Sequence, residues 1–194
     1  MDSFPFYVQV GFRHISDLAG YDHILFLVAL CAVYRIEHWR KIVVLVTAFT
    51  VGHSLTLALA ALGTIAIPSR FIEFLIPVTI LLTAISNLFR NDEASTASGM
   101  GRHYFMALFF GLIHGMGFSN YFRALLMGDS SVVLPLLGFN IGIELGQLLV
   151  VLIIMSVSFC FLNLLRTRYR DWNVFVSGAA SGMSLILMID TKFW

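Results

Sequence analysis

The sequence predicts an all-α membrane protein, a bundle of six transmembrane helices preceded by a short interfacial segment at the N-terminus. Hydrophobic residues make up 59% of the 194-residue chain and charged residues only 12%, and the mean hydropathy is +0.89. Soluble domains carry about 25% charged residues, so this composition is typical of a chain that lies in lipid. A chain of this length has room for about six apolar segments of roughly 20 residues each, joined by short loops.

Six apolar segments separated by short polar stretches give the predicted spans. The clearest linker is polar and small, and it lies over 91–99, after the third segment. No stretch between the segments is long enough to form a second, soluble domain. We therefore predict a single integral membrane domain, 1–194, with spans at about 18–34, 42–63, 70–89, 103–122, 132–163 and 172–190.

An aromatic stretch over 4–16 precedes the first span and is too short to cross a bilayer. It contains four aromatic rings, Phe4, Phe6, Tyr7 and Phe12. Aromatic residues favour the boundary between lipid and water, so we expect this stretch to lie at the headgroups with its rings turned to lipid. The chain starts without a basic region and an early cleavage site, which favours a mature segment over a signal peptide.

Basic residues are distributed unevenly between the two sides of the predicted bundle. The loops after the first, third and fifth spans contain Arg35, Arg40, Lys41, Arg90, Arg102, Arg166, Arg168 and Arg170. Loops rich in lysine and arginine stay in the cytoplasm, so both termini are predicted to be extracytoplasmic. The formal net charge is only +1, and nothing in this pattern indicates binding to nucleic acid.

Acidic residues and histidines interrupt four of the apolar segments. Asp22 and His23 stand at the start of the first span, and the second, fourth and fifth spans contain His53, His114 and Glu144. A charged residue at the bilayer centre costs roughly 2.5–3.5 kcal/mol on insertion scales, so such residues face the bundle interior and are functional. In the predicted topology they lie near the midplane or in the outer half. We expect them to converge below the extracytoplasmic surface.

Helical spacing supplies polar neighbours for these residues. Asn140, Glu144 and Gln147 form one stripe on the fifth span, because they are four and three residues apart. Asn140 and Gln147 are therefore candidates to orient imidazole rings from a second layer. Ser54 follows His53 directly, and its hydroxyl is either a further second-layer neighbour or bonded within its own helix.

Imidazoles and carboxylates without thiolates suit divalent transition metals such as nickel, cobalt, zinc or iron. The candidate metal ligands are His14, Asp22, His23, His53, His114 and Glu144. His14 and Asp17 lie near the outer face, where they also fit a separate access site. The alternative for the whole set is a hydrogen-bonded polar network that holds the helices in register without a metal.

Four stretches of the sequence carry a family resemblance. They are GFRHISDLAGYDHILFLVAL, FTVGHSLTLALAALG, FGLIHGMGFS and GFNIGIELGQLLVV, and they lie in this order over about residues 11–151. Together they resemble the HupE/UreJ family of hydrogenase and urease accessory membrane proteins. Seven residues separate His14 from Asp22, where five separate the matching pair in the better-studied branch, so the chain is more similar to the second branch.

This resemblance implies a permease for nickel, sometimes cobalt, that supplies metal to maturing metalloenzymes from the inner membrane of a bacterium. It also implies that His14, Asp22 and His23 form the first-helix motif of the family. His114 and Glu144 match the later histidine and glutamate motifs.

Three functions stay open on the sequence alone. The first is a metal facilitator, and the chain contains no ATP-binding motif for driving transport itself. The second is an intramembrane hydrolase or transferase, in which His23, His53 and His114 hold a zinc-type ion and Asp22 or Glu144 is the general base. The third is a non-transporting assembly factor that acts with metalloenzyme-maturation partners. Glycine faces on the helices serve packing within a bundle or in a homo-oligomer equally well.

Overall fold

The computed structural model describes residues 3–18, 20–64, 68–89, 100–126 and 131–194, and this part of the chain is helical without a β-strand. A 3₁₀ turn, Ile36–His38, leads into the third α-helix, and a π-helical turn, Cys160–Leu164, extends the sixth. The α-helices in the described residues are α1 (Ser3–Ser16), α2 (Asp22–Cys31), α3 (Trp39–Ala61), α4 (Ser69–Leu88), α5 (Met100–Leu125), α6 (Val133–Phe159) and α7 (Tyr169–Asp190).

Within the described residues, five helical stretches are long and apolar enough to cross a membrane, as expected for an integral membrane protein. They overlap the second to sixth predicted spans, while the predicted linker over 91–99 lies outside the described residues. The five stretches are Ile36–Ala61, Ser69–Leu88, His103–Leu125, Val133–Leu164 and Tyr169–Asp190.

The first predicted span, 18–34, is shorter in the structure than hydropathy indicated, so the count of six crossing helices is not confirmed. Its helix, α2, has 10 residues, or about 15 Å at a rise of 1.5 Å per residue. The preceding helix, α1, has 14 residues and is about 21 Å long. Because the hydrocarbon core of a bilayer is about 30 Å thick, neither helix crosses it alone.

α1 is packed into the bundle, so the expected position at the headgroups is not confirmed. The ring of Tyr7 is only 3% exposed, and its hydroxyl donates a hydrogen bond to the carbonyl oxygen of Leu125 at 3.2 Å. The prediction that Tyr7 faces lipid was therefore wrong. The physical reason is glycine: at Gly142 of α6, a Cβ would collide with the carbonyl oxygen of Val8, so only a residue without a side chain permits this approach.

α1 runs parallel to α6. Near the start of α1, Phe4 lies against Gly138, and near its end Ile15 lies against Gly146. Residue numbers along the two helices therefore increase in the same direction, as they do in parallel helices. The glycines that the sequence places on one face of this span are the surface on which α1 packs, as close helix packing requires.

α2 continues in the same direction as α1. Near the end of α4, the side-chain amide of Asn87 donates to the carbonyl oxygen of Ala29 at 2.7 Å. At the start of α7, the Tyr169 hydroxyl donates to the carbonyl oxygen of Val33 at 2.7 Å. Since α7 follows α6 after a short turn, α2 ends beside the end of α6. α1 and α2 thus form two consecutive helical pieces, with a break between the end of α1 at Ser16 and the start of α2 at Asp22.

The alternating directions of the helices define two ends of the bundle. α1, α4 and α6 begin at one end of the bundle, which we call the N-terminal side. α3, α5 and α7 begin at the other end, which we call the opposite side. α3 and α5 pack in parallel and very closely. A Cβ at Gly111 would collide with the carbonyl oxygen of Phe49, and one at Gly115 would meet the backbone of His53. This close approach brings the histidines of α3 and α5 to the same level.

Replacement of Gly142 by alanine is expected to destabilise the protein, because the new methyl group meets the α1 backbone at Val8. Overpacking of this kind costs typically about 1–3 kcal/mol. Thermal unfolding of the detergent-solubilised Gly142→Ala variant should show a lower midpoint than the unmodified protein. Gly178→Ala is the matched control, since a Cβ there meets no described atom within 4 Å. Equal midpoints for the two variants would contradict the glycine-dependent packing of α1 on α6.

Candidate metal centre

Three histidines from three helices meet where α1 ends and α2 begins. His14 lies in the last turn of α1, His23 in the first turn of α2, and His53 in the second half of α3. One ring nitrogen from each lies within 4.8 Å of the others. The ring centroid of His14 is 4.6 Å from that of His23. Metal–nitrogen bonds of about 2.0–2.1 Å put opposite ligands about 4.2 Å apart, so small ring rotations suffice to bring all three onto one ion.

Ring nitrogens at this centre lack protein partners within the described part of the chain. They are Nε2 of His14, Nε2 of His23, both nitrogens of His53, and Nδ1 of His114, and we call them the open ring nitrogens. A buried polar atom left without a hydrogen bond costs about 1–3 kcal/mol. Several such atoms in one place indicate a shared ligand. A divalent cation, with or without bound water, accepts lone pairs from several of these rings at once.

The carboxylate of Asp22 holds the ring of His23. Its Oδ1 accepts a hydrogen bond from Nδ1 of His23 at 3.0 Å and another from the backbone N–H of the same residue at 2.8 Å. A carboxylate in this position fixes the imidazole tautomer with the lone pair on Nε2, and such pairs are common behind metal-binding histidines. Asp22 was predicted as a ligand. The structure instead places it on His23, outside the three-histidine group.

His114 lies beside the three-histidine group with a similarly fixed tautomer. Its ring centroid is 5.1 Å from that of His23, and its Nε2 is 3.2 Å from the hydroxyl oxygen of Thr79. That hydroxyl donates its proton to the carbonyl oxygen of Ile76 at 2.7 Å. The oxygen therefore accepts from Nε2–H of His114, which leaves the lone pair on Nδ1, one of the open ring nitrogens.

Glu144 lies apart from the three histidines. Its Oε1 accepts a hydrogen bond from the hydroxyl of Thr47 at 2.6 Å, and Thr47 precedes the α3 histidine by six residues, about 9 Å along the helix axis. Gln147 accepts a hydrogen bond from the hydroxyl of Thr50 at 2.7 Å. Oδ1 of Asn140 and Oε2 of Glu144 are buried and have no hydrogen bond to any described atom. The α6 stripe thus forms a second polar layer, against Thr47 and Thr50 of α3.

A groove of about 800 Å³ is open to the surface and is lined by one of the histidines, His14. Its lining includes Arg13, Asp17 and Tyr121, which are exposed, together with His14. Because His14 belongs to both the groove and the three-histidine group, the groove gives a solute access to the centre. Ser54 is not part of this lining, since its hydroxyl donates to the carbonyl oxygen of Thr50 at 2.7 Å within α3.

Aromatic rings surround the histidines. The ring centroid of Phe118, which also lines the groove, is 4.0 Å from that of His14. On the side towards the opposite end of the bundle, Phe49 and Phe26 lie 5.0 and 5.4 Å from His114. Both of these rings are 1% exposed. They separate the histidines from the rest of the interior.

Sequence reasoning missed Thr79 and the enclosing phenylalanines. A hydroxyl in an apolar helix usually bonds its own backbone, as Thr79 also does, so it gives no separate signal. Phenylalanines are common in membrane helices as packing or lipid-facing residues, so their presence gives no separate signal either. A possible signal was Phe26, which follows His23 by three residues and so shares its helix face.

Comparison with known proteins identifies the family of the chain. The model of the HupE / UreJ protein family matches residues 1–193, which include every residue of the centre. The chain belongs to the HupE/UreJ family. Searches of curated proteins and of solved structures gave no match. The resemblance predicted from four motifs is thus confirmed, and membership of the HupE/UreJ family is consistent with a nickel- or cobalt-transporter-like membrane protein.

Replacement of Asp22 by asparagine is expected to weaken metal binding, because the carboxylate no longer polarises Nδ1–H of His23 or fixes its tautomer. Loss of such a partner typically costs about 10–100-fold in metal affinity. Competition between purified protein and a metal indicator for Ni²⁺ measures the change. Asp171→Asn, at the start of α7, is the control that changes the net charge equally. Equal affinities for the two variants would contradict the role of Asp22.

Proposed function

We propose that this HupE/UreJ protein is a permease for a divalent transition metal, with nickel or cobalt as the substrate, which binds at His14, His23 and His53. The observation that carries the proposal is the set of open ring nitrogens at the end of a surface groove. Neutral imidazoles without thiolates suit nickel, cobalt, zinc and iron better than magnesium or calcium. Family membership favours nickel and cobalt within that group.

The remaining predicted residues support the three histidines in different ways. His114 supplies a further nitrogen through Nδ1, and Asp22 orients His23. Glu144 offers Oε2 as a ligand for an ion that moves from the histidines into the second polar layer. Asn140 and Gln147 flank Glu144 on α6 and hold this layer in position.

We also infer that α1 and α2 together form one crossing of the membrane in two halves. Both run parallel to α6, and their combined length of about 36 Å exceeds the hydrocarbon core. Interrupted helices occur in transporters where the irregular backbone lines a polar site rather than facing lipid. The break lies between His14 and His23, so each half contributes one ligand from the end that borders the break.

The orientation of the protein follows from its basic residues. Those that the structure describes in the predicted cytoplasmic loops lie on the opposite side of the bundle, and they are Arg35, Arg40, Lys41, Arg166, Arg168 and Arg170. The positive-inside rule then places the N-terminal side and both termini outside the cytoplasm of a bacterial inner membrane. Substrate therefore enters through the groove from the extracytoplasmic side.

An intramembrane hydrolase is the second candidate, because three histidines are also the ligand set of a catalytic zinc ion that keeps one position for water. Such an enzyme needs a base close to the metal-bound water. Asp22 is engaged on Nδ1 of His23, away from its open nitrogen Nε2, and Glu144 accepts a hydrogen bond from Thr47, so neither predicted base is held against the open ring nitrogens. Transport is therefore the better-supported function. The geometry gives no specific support to an assembly factor that acts without transport.

Reconstituted protein is expected to carry Ni²⁺ into liposomes that contain a trapped fluorescent chelator. His23→Ala and His53→Ala should abolish this flux, because each removes one of three ligands. His38→Ala, in the turn before α3, is the control and should retain it. The opposite result is a stoichiometric metal ion that the unmodified protein holds without flux, which would favour the hydrolase. Protein that neither binds nor moves metal would exclude both functions.

A further inference from the structure

We propose that the ion leaves the histidines along a polar face of α4 and passes into a small cavity near the opposite side of the bundle. This inference rests on the proposed transport function. The cavity has a volume of about 40 Å³, and its lining includes Thr83, Ser86 and Asn87 of α4, with Phe26 and Phe110 at one end. At about 10–15 Å³ per water centre, it has room for roughly three waters.

A chain of polar groups connects the metal centre with this cavity. His114 contacts the Thr79 hydroxyl at 3.2 Å. One turn further, the Thr83 hydroxyl donates to the carbonyl oxygen of Thr79 at 2.9 Å. Ser86 and Asn87 follow after three and four more residues, on the same face of α4. This face thus extends about 12 Å from Thr79 to Asn87.

The groups on the α4 face are weaker ligands than the histidines of the centre. α4 offers neutral hydroxyl and amide oxygens, and the cavity at its end is also lined by one imidazole, that of His103 on α5. A nickel or cobalt ion prefers the nitrogens, so it moves along the oxygens with part of its water shell retained. Release requires weak, successive sites of this kind. Ser86 is exposed, so the path reaches the surface there.

Two phenylalanine rings separate the histidines from the cavity. Phe26 lies 5.4 Å from His114 and 6.2 Å from Phe110, as measured between ring centroids. Both phenylalanines also line the cavity. The path is therefore closed in this conformation. Because Phe26 lies on α2, one turn after His23, a movement of α2 at the break displaces a ligand and the barrier together.

The second polar layer on α6 is a less suitable exit. It ends at Thr47, whose side chain is exposed on the side of the bundle that faces away from the other helices. An ion there faces the hydrocarbon at the level of the membrane interior, where an uncompensated charge is expensive. The α4 face, by contrast, lies between helices, and the hydroxyl-bearing residues Thr79 and Thr83 are 3% and 9% exposed.

A bulky residue at the mouth of the cavity tests this route. Ser86→Trp should lose Ni²⁺ flux into liposomes while it retains the Ni²⁺ stoichiometry of the unmodified protein. Ile85→Trp places the same side chain on the neighbouring exposed position of α4 and should retain flux. Undiminished flux in Ser86→Trp would overturn the α4 route alone. Absence of both binding and flux in the unmodified protein would overturn the transport function itself.

A second measurement does not depend on flux. The exposed Cys160 is first replaced by serine, and the other cysteine, Cys31, is buried. Ser86→Cys in this background then provides the reactive thiol. A membrane-impermeant thiol reagent should label Ser86→Cys from the cytoplasmic face, and labelling should slow when Ni²⁺ is present. Ile85→Cys should show no such protection by Ni²⁺. Labelling of Ser86→Cys that is absent or insensitive to Ni²⁺ would overturn the inference.

Discussion

The feature on which the proposed site depends is a group of buried imidazole nitrogens without hydrogen bonds to any described atom. His53 is fully buried, and the rings of Phe26 and Phe49 close the side of the centre away from the groove. A bundle stabilised by apolar packing alone has no need of such groups. The glycine contacts of α1 with α6 and of α3 with α5 therefore have a common result, because they bring rings from separate helices to one level. Removal of either close approach separates the rings without removing a ligand.

The break between α1 and α2 also affects the electrostatics of the centre. The end of an α-helix carries about half a negative charge and its start about half a positive charge. His14 stands at the negative end of α1, which favours a nearby cation. His23 stands at the positive start of α2, which opposes one. Asp22, in the first turn of α2, offsets that positive end and orients His23 at the same time. A continuous helix over these residues would provide neither effect.

The sequence predicted much of this architecture because the dominant signals are local. A long run of apolar residues predicts a membrane helix, because a helix pairs its own backbone N–H and C=O groups in lipid. Histidines within such a run indicate a site in the bundle interior. A boundary between the segment 4–16 and the first span was predicted, but the span was expected to begin at about 18 and its helix begins at Asp22, because a hydropathy window does not resolve where a helix starts. Glu144 was predicted to join the histidines because of its depth in the membrane. Depth does not determine in which direction a side chain points from its helix, and Glu144 accepts a hydrogen bond from Thr47. Tyr7 was misplaced because a packing face and a lipid-facing face look alike in one sequence.

In the proposed permease, the choice of ligands favours passage of the ion over storage. Three neutral imidazoles leave both positive charges of a divalent ion uncompensated in a medium of low dielectric constant, where charge is costly. The nearest carboxylate, Asp22, acts across the ring of His23 and compensates only part of that charge. A site with carboxylates in direct contact holds such an ion more tightly, as structural and storage sites do. Nitrogen ligands with an indirect carboxylate instead give selection against magnesium and calcium, which prefer oxygen, without a bond too strong for release.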